Sequence, residues 1–356
     1  MKSIVSMAAI SAALIVSPLS GLAQQSLTVA AWGGAYASAL TESMYKPFEV
    51  KHKTKVLSVD RGGGLGEIAA QVKSGNIKWD VVDVEPQEAI KGCEEGLLEK
   101  IDSSRLPAGA DGKAGSKDFV TGAIQECAVA SVVFANVLAY DRARLGSNGP
   151  KSIDDLFDTK KFPGKRGMYK NPVGIFEWAL MADGVAVGDV YKVLATPAGL
   201  ERAFKKLDTI KKDIVWWSAG AQAVNLLVSG EVVMSWVWHG RVVDANFKEK
   251  KDMVIVWDGQ TTAQNMFAIP KGSKNAAAAQ EFIREATSAQ ALADFVNYIP
   301  YTPTRQSSIA LIPDSNRYKA WLPGSTQGGR YLPLSAKFWL ENEDELTKKF
   351  NIWLAK

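Results

Sequence analysis

The chain has 356 residues, 47% of them hydrophobic, and this length suggests two lobes rather than one. Its 42 basic and 38 acidic residues give a formal net charge of +4, with both signs interspersed. That balance is too mild to favour a nucleic acid or an anionic membrane as a partner. Two cysteines and two histidines are too few for an ordinary Cys/His zinc cluster. No metal or cofactor is expected.

The first residues predict export. Lys2 precedes an apolar run over residues 4–16, Pro18 ends that run, and small residues at 21–23 form a cleavage site before Gln24. The apolar run is shorter than the roughly 20 residues that a membrane-spanning helix needs. We therefore expect residues 1–23 to be a signal peptide and the mature protein to be periplasmic.

The two cysteines, Cys93 and Cys127, form an even and small set in an exported chain. This pattern favours one disulfide. Two buried free thiols are the alternative, because the sequence alone does not give the distance between the two residues.

The mature chain reads as alternating strands and helices, which implies an α/β fold with mostly parallel sheets flanked by helices. The expected strands cover residues 26–31, 56–59, 79–84, 127–138, 167–169, 232–238 and 267–270. The expected helices cover residues 35–52, 65–74, 86–96, 175–184, 200–210, 219–229, 276–287 and 290–296.

The long apolar stretch 127–138 and the strand 267–270 are candidates for segments that cross between two lobes. With two crossings, the first lobe is discontinuous in the chain and the second lobe is inserted within it. We expect residues 24–137 and 268–320 to form the first lobe and residues 138–267 the second. Residues 321–356 are expected to form a C-terminal helical segment.

Several short segments share their order and spacing with one family. The chain resembles the spermidine/putrescine-type periplasmic binding proteins of ABC importers, a family of extracellular solute-binding proteins that includes 4-aminobutyrate-binding members. The segments that carry the resemblance are Trp32-Gly33-Gly34-Ala35-Tyr36, Trp79-Asp80-Val81-Val82, residues 92–99, Phe162-Pro163-Gly164, residues 177–184, residues 216–222, residues 229–241, residues 268–272 and Tyr301-Thr302-Pro303.

The resemblance implies a two-lobed periplasmic binding protein fold whose lobes are joined by crossing strands and close on a ligand. It also implies a function. The chain is expected to capture a small amine-bearing solute, as a monomer, and to deliver it to a membrane permease. Putrescine, spermidine and an ω-amino acid such as 4-aminobutyrate are the candidate ligands, and no catalysis is expected.

An amine ligand needs aromatic faces and acidic partners. Trp32 and Tyr36 flank a Gly-Gly turn after the first strand, where ligands of open α/β sheets bind. Trp32 could instead lie in the core, but we favour a ligand role. Asp83 and Glu85 end the third strand. Either acid could face the cleft or cap the helix that Pro86 begins, and we favour Glu85.

The resemblance places Glu177, Trp217 and Trp238 on the ligand. Glu177 matches an acid that takes a terminal amine in the polyamine-binding relatives, although a helix acid in this position could instead complement the helix dipole. Trp217 and Trp238 match aromatic residues that line the relatives' cleft. Arg241 follows a strand end, where its planar guanidinium suits either a ligand carboxylate or a salt bridge.

One position departs from the polyamine pattern. The relatives carry an aspartate that contacts a ligand nitrogen where this chain has Asn265. An amide does not neutralise a buried ammonium as a carboxylate does. The change therefore favours a ligand with one ammonium and one anionic end, such as 4-aminobutyrate.

Two other classes of protein are weighed against this interpretation. An iron(III)-binding protein of the same fold would use paired tyrosines, but Tyr298 and Tyr301 are separated by two residues. A secreted enzyme is disfavoured because the sequence contains no Gly-x-Ser-x-Gly elbow, Walker loop or His-Glu-x-x-His run. The glycine-rich stretch 62–66 lacks the Lys-Ser/Thr of a phosphate-binding loop.

Overall fold

The computed structural model describes residues 26–356, so the predicted signal peptide lies outside the described residues. The fold is α/β, as the sequence predicts. Its ten strands are β1 Ser26–Ala31, β2 Lys55–Asp60, β3 Val81–Val84, β4 Ala128–Asp141, β5 Arg166–Tyr169, β6 Ile214–Trp217, β7 Met234–Trp238, β8 Met253–Ala268, β9 Thr302–Pro303 and β10 Tyr331–Pro333.

Sixteen α-helices surround the sheet in the described part of the chain. They are α1 Ala35–Leu40, α2 Lys46–His52, α3 Gly66–Ser74, α4 Pro86–Glu94, α5 Gly115–Asp118, α6 Arg142–Leu145, α7 Asp154–Phe157, α8 Ile175–Ala182, α9 Val190–Leu194, α10 Pro197–Asp208, α11 Gly220–Ser229, α12 His239–Lys248, α13 Ala276–Ala286, α14 Ala289–Phe295, α15 Gln306–Leu311 and α16 Ala336–Leu354. A π-helical turn, Thr41–Tyr45, joins α1 to α2, so the single predicted helix 35–52 is continuous with one irregular turn.

The strands form one curled sheet in the order β2-β1-β3-β8-β4-β7-β5-β6, with β9 added beside β4 and β10 beside β8. The two ends of the sheet, β2-β1-β3 and β7-β5-β6, are internally parallel. The centre is an antiparallel pair of long strands, β4 and β8. These two strands lie between the two parallel parts and join them, because β8 pairs with β3 and β4 pairs with β7.

Two separate hydrophobic cores lie along these long strands. The first core contains side chains of β1, β3, α1, α2, α13 and α14 and the first half of β4. The second contains side chains of α8, α10, α11, β7 and the second half of β4. β4 passes from the first core to the second between Phe134 and Ala135. This division supports the two-lobed interpretation of the sequence.

The C-terminal segment packs on the second core. Phe338, Trp339, Phe350 and Trp353 of α16 belong to that core. Tyr318, which the sequence interpretation placed in the first lobe, also packs there and is fully buried. At its other face α16 reaches α4 of the first lobe, where Lys91 Nζ lies 2.8 Å from Asp344 Oδ2.

The returning strand is longer than the sequence predicts. The prediction started it at residue 267, whereas β8 begins at Met253 and ends at Ala268. Polar residues such as Gln260, Thr261 and Asn265 obscured the strand in the sequence. They are tolerated because the paired strands β4 and β8 satisfy their backbone groups and bury their side chains at the junction of the lobes.

The predicted disulfide is present. Cys93, near the end of α4, is bonded to Cys127, which directly precedes β4, and their Cα atoms are 5.7 Å apart. The bond closes a loop with a sequence separation of 34 residues. A cross-link of this length stabilises the fold mainly by restricting the unfolded chain.

We expect the double substitution Cys93→Ser, Cys127→Ser to lower the free energy of unfolding by about 2–4 kcal/mol, because the unfolded chain regains the entropy of the open loop. Urea denaturation followed by circular dichroism would measure it. Wild-type protein in a reducing agent is the control and should match the variant. A variant as stable as the oxidised wild type would contradict the expectation.

Candidate functional site

A small cavity lies between the two lobes and has an empty volume of about 280 Å³. Six of its eight lining residues were singled out in the sequence, and six are aromatic or cationic. The lining consists of Trp32, Tyr36, Glu85, Phe134, Trp238, Arg241, Asn265 and Tyr301. We call it the inner cavity.

The sheet brings these residues together at strand ends. Trp32 follows β1, Glu85 follows β3, and Trp238 is the last residue of β7. Ligands of α/β sheets bind beyond the carboxyl ends of parallel strands, because the loops there converge. Phe134 and Asn265 come from the long crossing strands instead, at the junction of the lobes. The inner cavity is therefore built by both lobes and by the strands that join them.

Arg241 links the lobes directly. It lies in the first turn of α12, in the second lobe, and its Nη2 donates a 2.6 Å hydrogen bond to the carbonyl oxygen of Gly33 in the first lobe. Gly34 has φ +68°, and a Cβ added there would come within 2.8 Å of Arg241 Nη1. The Gly-Gly turn thus adopts a backbone that only glycine favours and leaves room for the guanidinium.

Within residues 26–356, no carboxylate lies within salt-bridge distance of the Arg241 guanidinium. The side chain is only 8% exposed, and its Nε has no hydrogen-bond partner in the same part of the chain. Its guanidinium carbon lies 5.9 Å from the ring centre of Trp238. A buried cation that keeps unused donors at a cavity wall is suited to receive an anionic group.

Glu85 supplies the opposite charge. It is the N-cap residue of α4, and Pro86 starts the helix, so the sequence was right about the cap position. Its Oε2 accepts a 2.9 Å hydrogen bond from Gln87 Nε2. Burial, with the nearby carboxylate of Glu88, raises the pKa of Glu85 to about 8. A cation beside Glu85 would offset this cost and favour the ionised form.

Asp83, the alternative acid, is fully buried behind the cavity wall. Its Oδ2 accepts a 2.5 Å hydrogen bond from the hydroxyl of Tyr36. Burial raises the pKa of Asp83 to about 8, and the bond to Tyr36 partly opposes this rise. Asp83 therefore holds Tyr36 in position, while Glu85 faces the cavity.

Trp217 does not line the inner cavity. It is 2% exposed and lies behind Trp238, with ring centres 5.5 Å apart, and its other neighbours are Tyr169 and Trp236. Trp216, its neighbour on β6, packs on Phe350 instead. The sequence gives no sign that Trp238 covers Trp217. Trp217 therefore packs behind Trp238 and helps to hold it in place, and it does not contact the inner cavity.

Glu177 is also outside the inner cavity. It lies in the first turn of α8, where its side chain is fully buried. Its Oε1 accepts hydrogen bonds from Trp339 Nε1 at 2.7 Å and Tyr191 Oη at 3.0 Å, and its Oε2 accepts one from the Gly174 N–H at 2.9 Å. Three donors thus occupy the carboxyl group. The expected amine contact is replaced by a structural role that ties α16 to α8.

Two lining residues were missing from the sequence-based site. Phe134 was part of a predicted crossing strand, and Tyr301 belonged to a segment that carried the resemblance. Tyr301 stacks near Tyr36, with ring centres 5.7 Å apart, and near His239 at 5.1 Å. An aromatic residue at a predicted lobe crossing is a signal that could have identified Phe134.

A second and larger cavity, with an empty volume of about 830 Å³, adjoins the inner one. The two share Trp32, Glu85, Phe134 and Trp238. We call the larger one the outer cavity. Its further lining consists of Gly63, Gly64, Gln87, Glu88, Asn136, Tyr169, Asn171, Val173, Trp236, Leu334, Glu343 and Thr347.

The fold and the cleft together define a solute-binding protein rather than an enzyme: two lobes on crossing strands surround a cavity that carries opposite charges on aromatic walls. Residues 43–323 match the family described as bacterial extracellular solute-binding protein, and the chain belongs to this family. In the part of the chain that the structure describes, no helix has the length and apolar character needed to span a membrane.

Similar proteins agree with this assignment. The gamma-aminobutyric acid-binding protein of Pseudomonas aeruginosa is 40% identical over 333 residues, which cover 93% of this chain and 92% of that protein. A solved GABA receptor is 35% identical, with a TM-score of 0.79 over 93% of this chain and 98% of that one. The binding protein MotA of A. tumefaciens B6, in complex with glucopine, is 26% identical, with a TM-score of 0.85 over 93% of this chain and all of that one.

We expect Glu177→Ala to lower the free energy of unfolding by about 1–3 kcal/mol, because it leaves buried donors of Trp339, Tyr191 and Gly174 without an acceptor. Ligand affinity should stay within about threefold, since a change of less than about 1 kcal/mol is expected away from the cavity. Chemical denaturation and calorimetric titration would measure the two quantities. A large loss of affinity in a stably folded variant would show that Glu177 contacts the ligand.

Proposed function

We propose that this protein captures an ω-amino acid of the 4-aminobutyrate class in its inner cavity. The ligand carboxylate would bind Arg241, and the ligand ammonium would bind Glu85. The methylene chain would pack between the aromatic rings of the cavity. Trp32, Tyr36, Trp238 and Asn265 would contribute further contacts.

Arg241 carries the proposal. A buried guanidinium without an acidic partner costs several kcal/mol unless it is compensated. In the described chain only the carbonyl of Gly33 and the ring of Trp238 compensate it. A ligand carboxylate would supply the missing negative charge and accept hydrogen bonds from the guanidinium of Arg241. A diamine or polyamine would place a second cation beside this one instead.

The remaining lining fits a single ammonium. Glu85 is the one carboxylate among the described residues that line the inner cavity. Asn265, on β8, is 3% exposed and neutral, where the resemblance to polyamine-binding proteins implies an acid. Trp32 and Trp238, with ring centres 6.2 Å apart, provide faces that attract a cation and cover methylene groups. One acid and one base thus match a zwitterion.

The similar proteins point in the same direction. One relative is a gamma-aminobutyric acid-binding protein, and a solved neighbour is a GABA receptor. The alignments cover more than nine-tenths of each chain, so we expect the site to lie at the same place in the fold. The ligand class is nevertheless proposed here on the charges of the cavity.

Binding would work by lobe closure. The ligand would join Arg241 of the second lobe to Glu85 of the first, so it would bind the closed form more tightly and shift the population towards it. We further propose that the mature protein is a periplasmic monomer and that its closed form delivers the solute to a membrane permease of an ABC importer.

The first experiment is a titration of the mature protein with 4-aminobutyrate, putrescine and spermidine, followed by tryptophan fluorescence and calorimetry. We expect 4-aminobutyrate to bind most tightly, because only it satisfies both charges. Trp32 and Trp238 lie at the cavity and should report closure. Putrescine binding as tightly as 4-aminobutyrate, or more tightly, would refute the proposal.

Arg241→Gln should weaken 4-aminobutyrate binding by about 2 kcal/mol or more, which is about 30-fold or more in Kd, because the buried charge pair is lost. Arg142→Gln is the matched control. Arg142 is exposed, and its ion pair with Asp252 lies on the surface. Equal affinities in the two variants would show that Arg241 does not hold the ligand.

The raised pKa of Glu85 predicts a pH dependence. A free cavity holds Glu85 protonated below about pH 8, whereas an ammonium ligand needs the carboxylate. Affinity for 4-aminobutyrate should therefore rise by up to roughly tenfold per pH unit from pH 6 to 8 and then level off. Calorimetry at pH 7 in buffers of different ionisation enthalpy should show proton release. Glu85→Gln should remove both effects, and a pH-independent wild type would contradict the role of Glu85.

A further inference from the structure

The outer cavity contains acidic groups that a 4-aminobutyrate molecule in the inner cavity would leave unused. Glu85 lines both cavities, and Glu88 and Glu343 line the outer one. Glu88 and Glu343 differ in the hydrogen bonds and ion pairs that their carboxylates already make. Glu88 accepts hydrogen bonds from the backbone N–H groups of Gly64 and Glu85 and lies 3.5 Å from the guanidinium of Arg61. Its carboxylate is therefore structural.

Glu343 has no such partners in the described chain. It lies on α16, in the second lobe, and neither a hydrogen bond nor a salt bridge of its side chain is present there. The nearby cation, Lys91, is paired with the neighbouring residue Asp344 at 2.8 Å. Burial and the charge of Glu88 raise the pKa of Glu343 to about 7. The charge of Glu343 also contributes to the raised pKa of Glu85 across the cleft.

Two further observations in the outer cavity indicate a polar ligand. Asn136, on β4, lines the cavity and is 3% exposed, and its Oδ1 has no hydrogen-bond partner in the described chain, although its Nδ2 donates to Thr261 at 2.9 Å. The indole N–H of Trp236, another lining residue that is 1% exposed, is unpartnered in the same region. Buried polar groups of this kind cost free energy unless a partner occupies the space beside them.

The walls of the outer cavity are flat and aromatic. Tyr169 is 5.5 Å from Trp238 and 5.6 Å from Trp236 between ring centres, and the Tyr169–Trp236 pair is stacked. Flat rings beside carboxylates are the surroundings in which a planar guanidinium binds best, because it stacks on the rings and directs several N–H groups to the oxygens. An ammonium has a compact charge and would reach only one of the two acids.

From this arrangement we propose that the protein also binds ω-guanidino carboxylates, such as 4-guanidinobutyrate, with Glu343 as the residue that accepts the guanidinium in the outer cavity. The inference rests on the proposed function. The carboxylate of such a ligand occupies the inner cavity at Arg241, as in the 4-aminobutyrate complex. The guanidinium passes Glu85 and lies between Glu85 and Glu343, so the two lobes share it.

The test compares 4-guanidinobutyrate with 4-aminobutyrate on three proteins: the wild type, Glu343→Gln, and Glu341→Gln as the matched control. Glu341 lies on the same helix, is exposed, and does not line either cavity. Calorimetric titration gives the affinities. We expect the wild type to bind 4-guanidinobutyrate within about tenfold of 4-aminobutyrate, since one charge-assisted contact to Glu343 offsets the larger desolvation.

Glu343→Gln should weaken 4-guanidinobutyrate by about tenfold or more and change 4-aminobutyrate by less than about threefold, because only the larger ligand reaches the lost charge. Glu341→Gln should change neither. A wild type that binds 4-aminobutyrate but not 4-guanidinobutyrate would overturn this inference and leave the proposed function standing. An equal effect of Glu343→Gln on both ligands, or none on either, would also overturn it. If the wild type binds neither ligand, the proposed function itself fails.

Discussion

The contact between the guanidinium of Arg241 and the carbonyl oxygen of Gly33 is the constraint on which the cleft depends. It brings a buried cation of the second lobe against the first lobe, and no carboxylate of the described residues neutralises it. The cost of that burial must be met by dipoles, an aromatic face and a ligand. In the turn before α1, a side chain at Gly34 would meet the guanidinium and strain the backbone, and a side chain at Gly33 would meet the carboxylate of Asp60.

The acidic groups of the cleft also carry charges that are costly to bury without a partner of opposite sign. Glu85, Glu88 and Glu343 lie close together at the outer cavity, where the charge of Glu88 raises the pKa of both Glu85 and Glu343. Glu88 is fixed by backbone N–H groups and Arg61, whereas Glu85 and Glu343 face open cavities. A cleft with a cation at one wall and unsatisfied acids at another is most stable when closed on a ligand of complementary charge. Selectivity therefore follows from which charges remain unpaired in the closed form.

The misplaced residues show where sequence reasoning ended. Glu177 was expected at the ligand because acids in the first turn of that helix hold an amine in the relatives. Its burial depends on Trp339, which lies 162 residues further along the chain and reaches it only because α16 folds back on the second core. Trp217 does not line the inner cavity because Trp238 lies over it. Both outcomes depend on contacts between residues that are distant in the sequence.

Local pattern in the sequence predicted the alternation of strands and helices and the crossing strands, and the family resemblance implied the two-lobed fold and the solute-binding class. Pattern and resemblance together identified six of the eight residues that line the inner cavity, and the cysteine count favoured a disulfide that the structure contains. Tertiary structure alone decided that Arg241 has no acidic partner among residues 26–356, that Glu85 rather than Asp83 lines the inner cavity, and that Glu343 of the C-terminal helix lines the outer cavity. These features depend on contacts between residues far apart in the chain, which no local pattern encodes.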